Sequence, residues 1–152
     1  MSRNQQSMIE DFLALHRIAF IGVSRNPRDF SRLLDRELVT RGYDVVPVNP
    51  QTQEIDGRRS FSDIAAIDPP VDGALIMLPP QRTADALNAC ADAEVARVWI
   101  HRGCEPPNGH LAMRNSKLMV ISGECMFMFL PNTGLIHRIH RAIDRFTGRY
   151  PI

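Results

Sequence analysis

Lysine is almost missing from this chain. Of 18 Lys and Arg residues in 152, only Lys117 is a lysine. No charge excess of either sign is present, the net being +1, so bulk electrostatics gives no reason to expect a nucleic-acid partner. No apolar run approaches the roughly 18 residues that a spanning helix needs, and no membrane association is expected. Residues 1–17 lack the long apolar centre and small-residue cleavage site of a signal peptide. Cysteine is scarce and odd in number: Cys90, Cys104 and Cys125, without paired spacing. That excludes a disulfide framework and fits a reducing compartment. Repeats and low-complexity linkers are missing too, so the expectation is one soluble, cytoplasmic domain over residues 1–152.

What is there is an alternation. Short buried-type apolar runs recur at 18–23, 44–48, 73–78, 98–101 and 118–121, and segments of helical period separate them. Ser7-Met-Ile-Glu10 reads as a capping box opening a helix through Leu15. A second helix is expected from Ser31, its N-cap, to Arg41, stopped by Gly42. A turn-rich stretch at 56–59 leads to a short helix near 62–67. Pro79-Pro80 ends the third run ahead of a helix over 81–94, and a further helix is expected around 108–115. Five β-α alternations imply parallel strands joined by right-handed crossovers. The fold class is therefore α/β: a three-layer Rossmann-like domain with a five-stranded parallel sheet in the order 3-2-1-4-5, plus N- and C-terminal helices.

Two strand ends point to a binding site. Ile18-Ala-Phe-Ile-Gly22-Val23-Ser24-Arg25 and Gly42-Tyr-Asp-Val-Val-Pro47-Val48-Asn49-Pro50 both stop abruptly at turn-forming residues. Loops at the carboxyl ends of parallel strands form the crevice in which nucleotide-like ligands bind. A dinucleotide fingerprint would need G-x-G-x-x-G there. Only Gly22 satisfies it, with Ser24 and Pro27 at the second and third glycine positions. The acidic residue that holds ribose hydroxyls in NAD enzymes is also missing after the second strand, where Asn49-Pro50-Gln51-Thr52-Gln53 stands. Meanwhile Arg25, Arg28 and Arg32 crowd the first loop and its helix. Guanidinium groups beside a helix amino terminus suit a ligand carrying several phosphates, although a GC-rich coding sequence also enriches arginine. An adenine nucleotide other than a nicotinamide cofactor is favoured.

The runs Gly22-x-Ser24, Gly42-Tyr43-x-Val-x-Pro47-Val48-Asn49-Pro50 and Trp99-Ile100-His101-x-Gly103 resemble the small stand-alone CoA-binding proteins. Those are similar to the CoA-binding domain of succinyl-CoA synthetase α subunits. The resemblance covers about 15–125 and implies coenzyme A, or an acyl-CoA, as cofactor. It implies that the Gly22-Val23-Ser24 turn of the first loop lies against the CoA phosphates. Arg25 and Arg28 are the candidates for charge contacts to those phosphates, and Ser31 at the start of the following helix is a further candidate for the site. Asn49 and Pro50 would lie near the adenosine. The loops after strands three and four, with Leu78, Pro79 and Pro80 and with His101 and Gly103, would close over the ligand. The chain departs from the family pattern at Val23, where Ala is usual, at Leu78–Arg82, where Phe with arginines is common, and at His101, where Gln is usual.

No Ser-His-Asp order, H-E-x-x-H or P-loop is present, and no catalytic residue is assigned. His101 at a strand end suits a ligand contact, a base or a loop cap. Cys104 in the same loop has no identifiable activating base. Met126–Leu130 reads as packing. His137 and His140 lack a third ligand at matching spacing, so no metal is assigned. The tail is expected to form a helical extension over about 132–147, with Leu135, Ile136, Ile139, Ile143 and Phe146 in one stripe opposite a basic face. Two burials suit that stripe: the chain's own sheet, or a helix pair in a homodimer. The leading function is a non-catalytic, accessory or regulatory CoA-binding protein. The alternatives are an NAD(P)-linked oxidoreductase or acyl-CoA-using enzyme with His101 as base, and a protein-interaction module with a vestigial nucleotide site.

Overall fold

The computed structural model describes residues 1–109 and 117–131. The expected helix over 108–115 lies, from residue 110 on, outside the described residues, as do the expected C-terminal helix and any pairing through it. Helix α1 (Arg3–Leu13) leads into β1 (Arg17–Ile21), α2 (Phe30–Thr40) and β2 (Asp44–Val48). The hairpin β3 (Glu54–Ile55) and β4 (Arg58–Arg59) and a 3-10 turn (Ile64–Ala66) follow. Then come β5 (Gly73–Ile76), α3 (Pro80–Asp92), β6 (Arg97–His101), β7 (Met119–Glu124) and a last 3-10 turn (Met126–Phe129).

The sheet is five-stranded and parallel throughout, in the order β2-β1-β5-β6-β7. Its strands are apolar on both faces, as the covering layers require. One face packs Phe20, Leu75 and Trp99 against Phe12 of α1 and Leu34 and Leu38 of α2. Trp99 is fully buried, meets the Phe12 ring edge-on at 5.5 Å, and donates its indole N–H to Glu124 O at 3.0 Å. The other face packs Ala19, Ile76 and Ile100 against Ile64, Val71 and Leu87.

Three expectations are corrected. The sheet strands, counted along the chain, run 2-1-3-4-5 instead of 3-2-1-4-5. The outer edge of β2 is already taken: Phe61 N donates to Pro47 O at 2.9 Å, Asn49 N donates to Phe61 O at 3.0 Å, and Val48 bridges Phe61. A single bridge thus occupies the third-strand place, and the next full strand, β5, pairs with the free edge of β1. Gly73 suits that route, because a Cβ there would meet Leu15 Cδ1 at 2.6 Å. The first helix is capped by Ser2, whose hydroxyl accepts from Gln5 N at 3.2 Å, so Ser7 lies in its interior. The α2 N-cap is Asp29 instead of Ser31: extended at φ −67°, it accepts from Ser31 N at 2.9 Å.

Among the described residues no helix is long and apolar enough to cross a membrane.

Candidate ligand site at the β1–β5 switch point

The chain leaves β1 toward β2 on one side, and β5 returns on the other. The connections α2 and α3 therefore cover opposite faces and leave a crevice at the carboxyl ends between them. Gly22 makes the turn into it. Its φ of +95° lies in the region that side chains rarely adopt, and a Cβ would collide with Met77 O and approach Leu78 Cδ2 to 2.8 Å. Gly22 N donates to Val48 O at 3.2 Å and Met77 N to Ile21 O at 2.9 Å, so the turn is pinned to both neighbouring strands.

Local polar contacts shape the loop that follows. Val23 is fully buried and anchors it. Ser24 N donates to Ser31 Oγ at 2.9 Å, and that hydroxyl donates to Asp29 Oδ1 at 2.7 Å. Ser24 Oγ accepts from Asn26 N at 3.0 Å, and Asn26 Oδ1 from Arg28 N at 3.0 Å. Asn49 clamps the second loop to the first: Nδ2 donates to Val23 O at 2.9 Å while Oδ1 accepts from Gln51 N at 2.8 Å.

Together these loops and α3 wall an open cleft of about 820 Å³. That lies within the span of small-molecule and cofactor sites. Gly22, Val23, Ser24 and Arg25 form one wall, Asn49 and Pro50 a second, and Leu78 and Pro79 a third. Beyond these expected residues the cleft is completed by Arg82, Asp85, Ala86 and Ala89 of α3 and by Ser62, Asp63 and Ile64. The α3 residues recur at helical spacing and so share one face. That periodicity just past Pro79-Pro80 was the available signal for them. Arg25 and Arg82 supply positive charge; of the two acids, Asp63 caps the 3-10 turn through Ala66 N at 3.1 Å.

The remaining expected residues stand elsewhere. Arg28 is exposed on the loop, Ser31 lies beneath it, and Pro80 opens α3, none of them in the cleft wall. His101 is buried and packs on Phe30 with ring centroids 5.5 Å apart, on the face that α1 and α2 cover. Its Nδ1 lies 3.1 Å from Arg102 O, which suits the Nδ1–H tautomer, and Nε2 has no partner among the described residues. Burial drives its pKa from 6.5 down to about 4, so the ring is neutral at pH 7. Gly103 belongs to a neighbouring closure: Glu105 accepts from Gly103 N and Gly123 N, each at 2.8 Å, and joins the ends of β6 and β7.

The three thiols are buried. Burial pushes Cys104 up to about 11 and Cys90 to about 12, and raises Cys125 as well. None is a thiolate nucleophile at neutral pH. Among the described residues no group of three or more His, Cys, Asp or Glu is placed to hold a metal ion.

Sheet, switch point and glycine turn define a Rossmann-like α/β protein with a nucleotide-type crevice. Residues 16–131 match the model of the CoA binding domain family, and the chain belongs to that family. Among curated proteins it is 23% identical over 110 residues to the uncharacterized protein YneT of Bacillus subtilis, covering 72% of this chain and 82% of that one. A hypothetical protein from Pyrococcus horikoshii shares the fold at a TM-score of 0.74 and 21% identity, over 82% of this chain and 87% of its own. The dinucleotide-forming acetyl-coenzyme A synthetase 1 of Ca. Korarchaeum cryptofilum, in complex with phosphate and ADP, aligns at a TM-score of 0.65 and 20% identity. That alignment spans 74% of this chain and 26% of the synthetase, so the likeness is to one domain-sized part.

Proposed function

We propose that this chain binds coenzyme A or an acyl-CoA in the cleft at the β1–β5 switch point, as a non-catalytic accessory or regulatory protein. The observation that carries the reading is the cleft itself: about 820 Å³, walled by the Gly22–Arg25 loop, Asn49-Pro50 and Arg82, with Asn49 and no acid directly following β2 in the sequence. A CoA-type ligand needs room for its nucleotide and cations for its phosphates, and Arg25 and Arg82 offer them. An NAD-type ligand would want an acid after β2 for its ribose; the residue there is Asn49, whose amide is spent on Val23 O and Gln51 N.

The accessory role is supported by where the reactive groups lie. His101, the candidate base, is neutral and packed on Phe30, and the thiols are buried and protonated. Isothermal titration with CoA, dephospho-CoA, NAD and NADP tests the proposal. CoA should bind at low micromolar Kd or tighter, and NAD and NADP at least about tenfold more weakly, a difference of about 1.4 kcal/mol. Nicotinamide cofactors binding as tightly as CoA would overturn it.

A further inference from the structure

Two arginines one helical turn apart on α2 hold the first loop from behind. Arg32 is almost fully buried, and its Nη1 donates to Ser24 O at 3.3 Å and to Arg25 O at 3.1 Å. Arg36 Nη1 donates to Pro27 O at 3.1 Å. Both guanidiniums then meet one carboxylate: Arg32 Nη2 lies 2.6 Å from Asp56 Oδ1, and Arg36 Nε 3.2 Å from Asp56 Oδ2. Asp56 sits at the tip of the β3–β4 hairpin with φ +47°, a conformation that costs a non-glycine residue energy. Just past the turn, Arg58 makes its own contacts, to the buried Asp35 and to Val45 O at 2.8 Å. Neither Arg32, Arg36 nor Asp56 lines the cleft.

We infer that Asp56, Arg32 and Arg36 form a strut that positions the ligand-binding loop, so that a hairpin outside the cleft sets the cleft's affinity. The inference rests on the function proposed above. With three loop carbonyls turned toward the arginines, the trans geometry of the Ser24–Arg25 peptide points Arg25 N–H away from them. That amide is paired with no acceptor among the described residues. It is a ready donor for a phosphate oxygen, beside a side chain that lines the cleft. Arg32 thus acts on the ligand through backbone, whereas a cation free for phosphate would lack these partners. Asp56 keeps both guanidiniums in place. Slight burial works to raise its carboxyl, and the Arg32 and Arg36 charges and hydrogen bonds outweigh this and hold it below the ordinary carboxylate value. Lysine could not replace Arg32, because a point charge cannot serve two carbonyls and a carboxylate from one planar fork.

The test compares wild type with Asp56→Asn, Arg32→Lys and Arg32→Met, all assayed well below their melting temperatures. CoA affinity should fall about threefold in Asp56→Asn and about tenfold or more in both Arg32 variants, the scale of a lost charged hydrogen bond. In the ligand-free proteins, amide exchange at Ser24–Asn26 should accelerate, while that of β1 and β5 stays unchanged. A merely structural role would lower the melting temperature and leave the affinity of the folded protein intact. If Arg32→Met fails to fold, Asp56→Asn, which preserves shape, decides alone. Variants that bind CoA like wild type, with loop exchange unaltered, overturn the strut and leave the proposed function standing. A wild type that ignores CoA, with loops that loosen in the variants, overturns the function and keeps the strut as a device for the loop.

Discussion

The ends of β1 and β6 were both expected to contact ligand, and they differ in what lies above them. At β1 the chain turns on Gly22 into a loop whose Arg25 side chain is exposed, beside an open cleft. At β6 the equivalent position is filled: His101 lies against Phe30, and Glu105 ties Gly103 to Gly123. The difference is one of topology. Strand order reverses only between β1 and β5, so the covering helices diverge there and leave space. No such divergence opens β6, whose last side chain falls on the face already covered by α2 and the 126–129 turn. A strand end opens into a cleft only where the layers part.

The largest effect is expected from filling the β1 turn. Gly22→Ala should destabilise the protein by on the order of 3 kcal/mol or more, because it combines positive φ with a collision at Met77 O. Urea midpoints measure it, and an unchanged midpoint would mean that the turn is not as tight as described. The β6 end offers a pH signature of similar size. His101 has its folded pKa depressed to about 4 from 6.5. Its contribution to stability is therefore complete above pH 6.5 and is lost as pH falls toward 4, when the unfolded chain takes the proton first. The loss approaches about 3 kcal/mol at low pH. His101→Leu should remove that component from the stability–pH curve, and an identical curve for both proteins would refute it.

Smaller effects are expected on ligand binding. Arg25→Ala and Arg82→Ala should each weaken CoA by about tenfold, the scale of one charged hydrogen bond, read by calorimetry. An effect of Arg25→Ala on CoA but not on dephospho-CoA would place that side chain at the 3′-phosphate. The smallest change is expected at His101→Gln, where CoA affinity should stay within about twofold of wild type, below 0.5 kcal/mol. A tenfold loss there would restore the β6 end to the site.

Both kinds of residue were visible in the sequence, but with unequal clarity. Gly22 was legible as the one glycine of the fingerprint at the first strand end, a weak signal that the positive φ and the approach of Met77 O make specific. β2 was legible to the residue, 44–48, because Gly42 and Asn49-Pro50 bracket it. The carboxyl side of the cleft was less so. Arg82 and Asp85 were hidden in an ordinary amphipathic helix until the placement of α3 over the crevice chose their face. Arg32 counted with Arg25 and Arg28 as a loop cation, and only its buried contacts separate it from them.

By itself the sequence determined the alternation of buried runs and helices, hence a parallel α/β sheet, because period and punctuation are local properties of a chain. It also determined that no acid directly follows β2 and that a glycine ends the first strand. The tertiary structure alone decided the order 2-1-3-4-5, since which edge of a strand is free depends on where Phe61 has already paired. It alone decided that His101 is packed away, that Asn49 clamps two loops, and that Asp56 meets Arg32 across 24 positions. These are contacts between distant segments. Such contacts exist only once the layers have assembled, and no local pattern encodes them.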